Sequence, residues 1–529
     1  MNGAVGSGMG WLSSVGVLPE IVLIGTALFV MSTEMLLGRR QASRLPMLGA
    51  LGAILALLAA GHTYRAGPYS VFLGAIAVDG WTAVMRGIVI GAGVLALISG
   101  HHSHPLAAWA SRATKGEEEK ECEPERDGGS GREEESFLPP EGTAPGEFTG
   151  LILLSLAGLT FLAASRDLLI TVIALELASL PLYPLVVRAR TRAGVEAGVK
   201  YFLMGATASA VMLFGLSLIV GVSGTTRYAA VRFSNTDELL GILLFLSGLF
   251  FKIAAVPFHA WMPDAYEAAP APVGAFMAAA VKAGAFGALG RIVISGGAAP
   301  QVLTLAVIGL AAPTLFLGNG AALFQQRLGR LWGYSSISHT GFLLMGIAAS
   351  LQLSATGGLV ATAVYLAAYV PAVIGGFCIL GIIENSSPED PLAAGKRSVD
   401  RLKGFFTRSP FLAVAFTITL ASMAGLPPTA GFWAKLSVFK AAYEAGHIGL
   451  LLVALFNSLM AAYYYVRMIR MTFSDPETAG GEEKEAGWRK PPMLYGIVAG
   501  FSAIVLLALG IFPAALFDPI VTAMKRIVL

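Results

Sequence analysis

Long apolar stretches separated by short polar segments account for most of this chain of 529 residues. About fourteen of these stretches approach the roughly 20 residues that a helix needs to cross ~30 Å of hydrocarbon. Backbone polar groups in lipid must be satisfied within the spanning structure, so stretches of this length are predicted to be helices. The pattern therefore predicts an all-α integral membrane protein with little sequence left for a soluble domain.

The positions of basic residues in the short loops predict the orientation of these helices. Lysines and arginines gather after odd-numbered spans, as with Arg39 after the first and Lys396 after the eleventh, whereas Arg227, Lys525 and Arg526 are exceptions. Because basic loops favour the cytoplasmic side, both termini are predicted to face outside, in a bacterial-type inner membrane. The predicted spans are residues 18–38, 44–62, 81–100, 149–165, 168–187, 201–222, 238–257, 270–294, 302–322, 331–350, 355–383, 405–428 with a continuation to about 446, 448–471 and 491–516.

Composition supports the membrane prediction and narrows the chemistry. The chain is 55% hydrophobic and 13% charged with a mean hydropathy of +0.71, against about 25% charged residues in soluble proteins. The two cysteines, Cys122 and Cys378, form neither a CxxC motif nor a ligand cluster, which argues against a disulfide framework, an iron–sulfur cluster or a zinc site. With no Gly-rich phosphate loop either, we expect no cofactor, metal or nucleic acid to bind this chain.

One segment breaks the apolar pattern. Residues 113–147 contain GEEEKECEPERDGGSGREEES followed by a Pro-rich run, a composition typical of a disordered cytoplasmic loop. We favour a solvated insertion over a docking element for a neighbouring protein. The predicted division of the chain is a three-span segment, this loop, two five-span units, and a final loop and span, at residues 1–112, 113–147, 148–296, 297–472 and 473–529.

Four ionisable side chains lie deep inside apolar runs: Glu176, Lys252, Lys282 and Lys435. A charge at the bilayer centre costs roughly 2.5–3.5 kcal/mol, so residues of this kind are functional by default. Lysine and glutamate can exchange protons, whereas arginine stays protonated. The set therefore predicts proton chemistry, and the alternative is local structural pairing or snorkelling of the lysines to the membrane surface.

Prolines interrupt two of the lysine-bearing spans. Pro257 follows Lys252, and Pro427 with Pro428 precedes Lys435. Broken helices are tolerated where freed carbonyls line a polar cavity, and paired breaks are typical of transporters. Two consecutive five-span units would have opposite orientations, so the pattern predicts two inverted repeats, each with a broken helix. The lysine precedes the break in one unit and follows it in the other, a mismatch that the pattern leaves without an explanation.

Long motifs carry a resemblance to a known family. The chain resembles the antiporter-like subunits of the proton-pumping NADH–quinone oxidoreductase, respiratory complex I, over nearly all of its length after residue 147. Among these it is most similar to the N type, because GFWAKLSVF carries a lysine where the M type has a glutamate. The motifs are LELASLPLYPL (175–185), EAGVKYFLMGATASA (196–210), FFKIAAVPFHAWMPDAYEAAPAPVGAF (250–276), YSSISHTGF (334–342) and SMAGLPPTAGFWAKLSVF (422–439).

The resemblance implies a proton channel without redox chemistry in this chain. Glu176 and Lys252 would form a controlling ion pair, Lys282 and His339 would relay protons along the membrane midplane, and Lys435 would release them outside. The implied partners are other membrane-arm subunits, protons and the lipid bilayer. Two rival functions remain: a subunit of a multi-subunit sodium/proton antiporter, or a structural spacer that conducts nothing.

Weaker candidates lie near the predicted ends of spans. The resemblance places Lys200 near the start of the sixth span and His259 in the inner half of the first break, and an ordinary solvated side chain is the alternative for each. Glu34 is expected to pair at the membrane surface, and Asp264 with Glu267 is expected either to collect protons or to cap a helix. The buried and interfacial tyrosines, Tyr365, Tyr369 and residues 463–465, are interpreted as packing and interface residues rather than relay groups.

Overall fold

Helices form nearly all of the regular structure, as the long apolar stretches predict. The computed structural model describes residues 16–37, 44–101, 145–188, 191–231, 236–296, 300–352, 356–385, 398–475 and 492–527. The N-terminal segment consists of α1 (Leu18–Leu37), α2 (Leu45–Arg65), a hairpin of β1 (Tyr69–Val71) and β2 (Ile76–Val78), and α3 (Gly80–Gly100). The strands are antiparallel, with Tyr69 opposite Val78. Asp79 caps α3 by accepting a hydrogen bond from the Thr82 amide at 3.0 Å.

The first predicted five-span unit contains a broken helix and a π-helical turn. Its elements are α4 (Pro145–Ala164), α5 (Leu168–Ser179), α6 (Leu182–Val187), α7 (Arg192–Ser223), α8 (Thr236–Lys252), α9 (Trp261–Ala268), α10 (Ala271–Phe276), the π-helical turn Met277–Val281 and α11 (Lys282–Ile294). Pro181 lies two residues beyond the end of α5 and Pro257 five residues beyond the end of α8, where proline has no N–H to donate to a continued helix.

The second unit repeats the long helices and has its own break. Its elements are α12 (Pro300–Phe324), α13 (Leu328–Gln352), α14 (Thr356–Asn385), α15 (Phe405–Arg408), α16 (Pro410–Ala424), α17 (Ala430–Glu444) and α18 (Ile448–Phe473), followed by α19 (Met493–Ile511) and α20 (Pro513–Met524). Gly425 ends α16 with a φ of +85°, a left-handed conformation that glycine adopts without the steric penalty of a Cβ.

Eleven helical segments within the described residues are long and apolar enough to cross a membrane. The helices α8, α16 and α17 are shorter, with 17, 15 and 15 residues, because each is one half of a broken span. The most apolar 18 residues of Ala271–Ile294 are all buried, as are 94% of those of Thr356–Glu384. The core of the protein therefore surrounds α10, α11 and α14.

The loops gather at two opposite ends of the bundle. At the first, which we call the hairpin end, β2 bridges to Ser165, Asp167 bridges to Arg227, and the Gly80 amide donates to the Arg526 carbonyl. At the second, the arginine end, Asp264 lies 3.0 Å from Arg330, Arg327 bridges to Ser398, and the Arg467 guanidinium donates to the carbonyl of Gln325 at 2.7 Å. Loops after even-numbered predicted spans thus share one end, and loops after odd-numbered spans share the other.

Two buried ion pairs fasten the N-terminal segment at the hairpin end. Arg86 on α3 binds Glu20 on α1 at 2.8 Å. Arg291 on α11 binds the carboxylate of Asp79 through two nitrogens, both at 2.7 Å. Removing one partner of a buried pair leaves an uncompensated charge, at a cost of about 3–5 kcal/mol. These pairs fix α1 and α3 to each other and to the first five-span unit.

The acidic stretch predicted as a loop lies mostly outside the described residues. Residues 113–144 belong to that part, so their predicted disorder stays a prediction. The last three residues, Pro145 to Glu147, are the first turn of α4. The Glu147 amide donates to the Glu34 carboxylate at 2.9 Å, so Glu34 satisfies one of the free amides at the start of that helix.

Candidate functional site

Lys252 is the last residue of α8 and is 3% exposed. The chain turns away here, with Ala254 at a φ of +54° before Pro257. The Lys252 ammonium donates to the hydroxyl of Ser179 on α5 at 2.8 Å and to that of Tyr201 on α7 at 2.9 Å. Its nitrogen also lies 5.4 Å from the centroid of the Tyr201 ring, within the range of a cation–π interaction. Two hydroxyls and an aromatic face therefore replace the water that this amine would have outside the membrane.

Glu176 lies near this amine without bonding to it. Its carboxylate accepts a hydrogen bond from Ser209 on α7, while Ser179, three residues further along α5, accepts from Lys252. The ion pairs found among the described residues do not include Glu176 with Lys252. The predicted controlling pair therefore stays a prediction: the two side chains lie beyond salt-bridge distance in this conformation, and the amine donates to Ser179 and Tyr201. Residues three apart are neighbours on a helix surface, so Glu176 lies about one turn of α5 from the serine that accepts from the amine.

Lys282 opens α11 immediately after the π-helical turn and is buried. Its ammonium donates to the backbone carbonyl of Ser336 and, at 2.6 Å, to the hydroxyl of the same residue on α13. The Tyr369 hydroxyl shares a hydrogen bond of 2.9 Å with the Ser336 hydroxyl. Short π-helical segments are frequent at functional sites, and this one sets the direction of a buried amine.

Thr340 connects Lys282 to the break beside Lys252. Its hydroxyl donates to the Ile253 carbonyl at 2.7 Å and lies 3.3 Å from the Ser336 carbonyl, which also accepts from Lys282. Ile253 is the residue after Lys252. A continuous set of polar groups therefore runs from the first broken helix to the second buried lysine.

His339 lies between two tyrosine hydroxyls. Nδ1 is 2.7 Å from the Tyr365 hydroxyl and Nε2 is 3.1 Å from the Tyr465 hydroxyl, which in turn bonds to Ser335. A neutral imidazole has one N–H and one acceptor nitrogen, so His339 donates to one tyrosine and accepts from the other. Exchange of the tautomer reverses both bonds, which is the property a proton relay needs.

Lys435 lies on α17, after the second break. Its ammonium donates to the carbonyl of Ala424, the last residue of α16, at 2.7 Å, and to the Ser458 hydroxyl at 3.1 Å. A cavity of about 10 Å³ is lined by Lys435, His339 and Tyr365 among others. That is close to the volume that holds one water molecule, which would connect the histidine to the last lysine.

The two weaker candidates, Lys200 and His259, lie apart from the buried polar groups around the lysines. Lys200 has a half-exposed side chain that pairs with Glu196 at 2.7 Å and Asp264 at 3.4 Å, within the surface charges of the arginine end. Glu267 lies 2.7 Å from Arg327 at the same end. His259 lies in the break, and its Nδ1 has no hydrogen-bond partner among the described residues.

The sequence interpretation of the tyrosines needs a correction. Tyr365, Tyr369 and Tyr465 are buried, and their hydroxyls bond to His339 or to Ser336 as described above. Tyr463, in contrast, is 65% exposed and fits the predicted interface position. The spacing of Tyr365 and Tyr369, four residues apart on one helix face, was the available signal. The serines and Thr340 gave none, since hydroxyl residues are common in membrane helices.

A metal site receives no support from the described residues, which contain no group of three or more His, Cys, Asp or Glu side chains that could hold a metal ion. The hydroxyls, amines and imidazole of the candidate site are groups that donate and accept protons.

Comparison with known proteins places this arrangement in a family. Residues 165–461 match the family described as NADH:quinone oxidoreductase/Mrp antiporter, TM. The NADH-quinone oxidoreductase subunit N of Mycobacteroides abscessus is 35% identical over 525 residues, covering 94% of this chain and 95% of that protein. The chain belongs to this antiporter-like family.

Solved structures of the antiporter-like family share the fold. A chain in respiratory complex I from Thermus thermophilus with bound aureothin is 30% identical, with a TM-score of 0.74 over 94% of this chain and 98% of that one. A chain of the Mrp complex from Dietzia sp. DQ12-45-1b reaches a TM-score of 0.77 at 22% identity over 98% and 97% of the two chains, which shows the fold alone. The predicted N-type resemblance and the all-helical, multi-pass membrane fold are confirmed.

Proposed function

We propose that this chain is the N-type antiporter-like subunit of a proton-translocating NADH–quinone oxidoreductase. We propose also that it conducts protons through the buried amines, hydroxyls and imidazole described above. The observation that carries the proposal is the run of groups from Lys252 through Thr340 and Lys282 to His339 and Lys435. Isolated buried amines are costly. Hydroxyls and an imidazole lie among these amines, which is the arrangement that a proton path needs.

Each group has a role that follows from its contacts. Lys252 holds or loses a proton according to the charge of Glu176, which lies about one turn of α5 from the Ser179 hydroxyl that accepts from the amine. Hydroxyls both donate and accept, so the Thr340 and Ser336 hydroxyls supply polar positions between the first break and Lys282. His339 then links Tyr365 and Tyr465 to the small cavity at Lys435, and Lys435 releases the proton.

The proposed architecture is fourteen spans with two inverted five-span repeats. The two broken helices support the repeats, since α8 with α9 and α16 with α17 occupy corresponding places in the two units. The alternation of loops between the hairpin end and the arginine end supports an even number of spans. The arginine end is the basic one, so it faces the cytoplasm and both termini face outside a bacterial inner membrane.

The chain works within a larger assembly. Its proposed partners are the other membrane subunits of the same oxidoreductase, in which electrons pass from NADH to quinone away from this subunit. No redox group is assigned to this chain, and its contribution to the reaction is to couple electron transfer to proton export.

The surroundings of Lys252 favour protons over sodium ions as the transported species. A sodium site needs several oxygen ligands without a competing cation, whereas the oxygens nearest to the break already accept from an ammonium group. A non-conducting spacer is disfavoured because it has no use for three buried amines.

Purification of the tagged chain from its native membranes tests the proposal. We expect the chain to co-purify with NADH–quinone reductase activity and, after reconstitution into vesicles, to support NADH-driven proton uptake in sodium-free buffer. Tyr465→Phe should slow proton uptake while Tyr463→Phe, a neighbouring and exposed position, leaves it unchanged. Isolation with a sodium-dependent antiport activity, or equal effects of the two substitutions, would contradict the proposal.

A further inference from the structure

A groove of about 740 Å³ opens at the hairpin end, away from the buried polar chain. It lies between the start of α14, the outer half of α17 and the last helix, α20. Its walls are mostly apolar and include Val360, Trp433, Leu436 and Phe517. The volume is within the roughly 300–1,000 Å³ typical of small-molecule sites.

Two lysines from different helices line the groove. Lys440 on α17 is 72% exposed, and its only recorded partner among the described residues is Glu444 at 3.7 Å. Lys525 follows α20 and is exposed, with no hydrogen bond or ion pair to any described residue. Both lie at the hairpin end, which the proposed topology places outside, so they oppose the charge bias that sets orientation. Their presence there needs a reason other than topology.

The apolar walls and the lysines are separated along the membrane normal. Trp433 precedes Lys440 by seven residues on α17, and Phe517 precedes Lys525 by eight in α20 and its C-cap, which places each aromatic ring roughly 10–12 Å deeper along its helix. The indole N–H of Trp433 donates to the Gly510 carbonyl at 2.8 Å and fixes this wall to the end of α19. The groove is therefore cationic at the membrane surface and apolar below it.

We propose that this groove binds one anionic phospholipid, with its phosphate against Lys440 and Lys525 and an acyl chain along Trp433 and Phe517. An anionic headgroup provides Lys525 with a counter-charge and Lys440 with a second one, since its partner Glu444 lies 3.7 Å away on the lining of the same groove. A fatty chain suits a groove that is apolar below the headgroup level. Neither a soluble phosphate nor a neutral lipid satisfies both parts of the site.

The test measures retained lipid by native mass spectrometry of the purified complex in detergent, after exchange into phosphatidylglycerol or phosphatidylcholine with identical acyl chains. We expect the wild-type protein to retain phosphatidylglycerol selectively. Lys440→Ala combined with Lys525→Ala should lower its retention about tenfold and leave phosphatidylcholine unchanged. Arg65→Ala, at an exposed basic residue of the same end outside the groove, serves as the matched control.

A second variant tests the apolar part of the site. Ala514→Phe places a bulky ring on the exposed wall of α20 and should reduce retention of phosphatidylglycerol without removing either lysine. Glycerol phosphate should not displace the lipid. Equal retention of the two lipids by the wild type, displacement by glycerol phosphate, or crosslinking of Leu436→Cys to a neighbouring subunit instead of to lipid would each overturn the proposal.

Discussion

The two broken helices hold their lysines in different ways. In the first unit, Lys252 is itself the last residue of α8 and points its amine at two hydroxyls. In the second unit, Lys435 comes eleven residues after the end of α16 and returns its amine to the Ala424 carbonyl at that end. Both lysines are thus attached to the C-terminus of the first half-helix, one through the backbone and one through a hydrogen bond.

This shared attachment explains the mismatch in the sequence. The C-terminal end of a helix carries partial negative charge on its free carbonyls and stabilises a nearby cation by about 0.3–1 kcal/mol or more when partly buried. A lysine placed before or after the break reaches the same end of the same half-helix. The two broken helices therefore share the position of the lysine relative to the helix end rather than its position in the sequence, as the proposed inverted repeats require.

The two lysines differ in the groups that surround their amines and set their affinity for a proton. Lys252 has a carboxylate, Glu176, about one helical turn from its serine partner, whereas the recorded partners of Lys435 are a carbonyl, a serine and the ring of Phe342 at 5.1 Å. We infer that charge governs the first lysine, while hydrogen bonding and hydration govern the second.

Loss of Lys252 or of Glu176 should have the largest effect on proton pumping. Lys252→Ala and Glu176→Ala should each reduce quinone-coupled proton pumping by about tenfold or more, since a positioned proton-transfer group typically contributes 10²–10⁴-fold. NADH oxidation with an artificial electron acceptor should stay intact and reports that the complex is assembled. Near-normal pumping in both variants would remove this pair from the mechanism.

Replacement of the second lysine by arginine separates charge from proton release. Lys435→Arg retains a cation at the Ala424 carbonyl but cannot lose its proton. We expect a complex that assembles and pumps several-fold more slowly, as measured by proton uptake into reconstituted vesicles. Normal pumping by Lys435→Arg, together with poor assembly of Lys435→Ala, would reduce this lysine to a structural role.

The two serine partners provide a matched pair of smaller changes. Ser179→Ala removes one of the two hydroxyls that accept from Lys252, whereas Ser458→Ala leaves Lys435 its bond to Ala424. A hydrogen bond to a charged group contributes roughly 1.5–3 kcal/mol. We expect a loss in pumping rate that is several-fold for Ser179→Ala and smaller for Ser458→Ala. The reverse order would contradict the proposed difference in control.

Deletion of the acidic stretch should have the smallest effect. Its composition predicts a solvated segment, so removal of residues 117–135 should leave membrane insertion and pumping nearly unchanged. Loss of the assembled complex on a native gel would instead support the docking alternative.

Helices and breaks could be predicted because their causes are local. Apolar length marks a span, and Pro257, Gly425 and Pro427 mark the breaks that the structure contains. The three buried lysines of the described residues were also evident, since a charge within an apolar run stands out against its neighbours.

The partners of these lysines could not be predicted, because they come from distant parts of the chain. Ser336 is 54 residues from Lys282, and Tyr201 is 51 residues from Lys252. A serine or tyrosine in an apolar helix has the same appearance in the sequence whether it faces a lysine or a lipid. The bond from Lys252 to Ser179 was missed for this reason, and the controlling pair of Glu176 with Lys252 stays a prediction.

The π-helical turn at Met277–Val281 sets the rotation of α11, the helix that follows it. A π turn contains one residue more than an α turn, and one residue corresponds to about 100° of rotation and 1.5 Å of rise. If these five residues relaxed to α geometry, Lys282 would turn away from Ser336, and Arg291, on the same rigid helix, would turn away from Asp79. A single inserted residue in the core thus links the orientation of the Lys282 amine to the ion pair of Arg291 with Asp79 through one continuous helix.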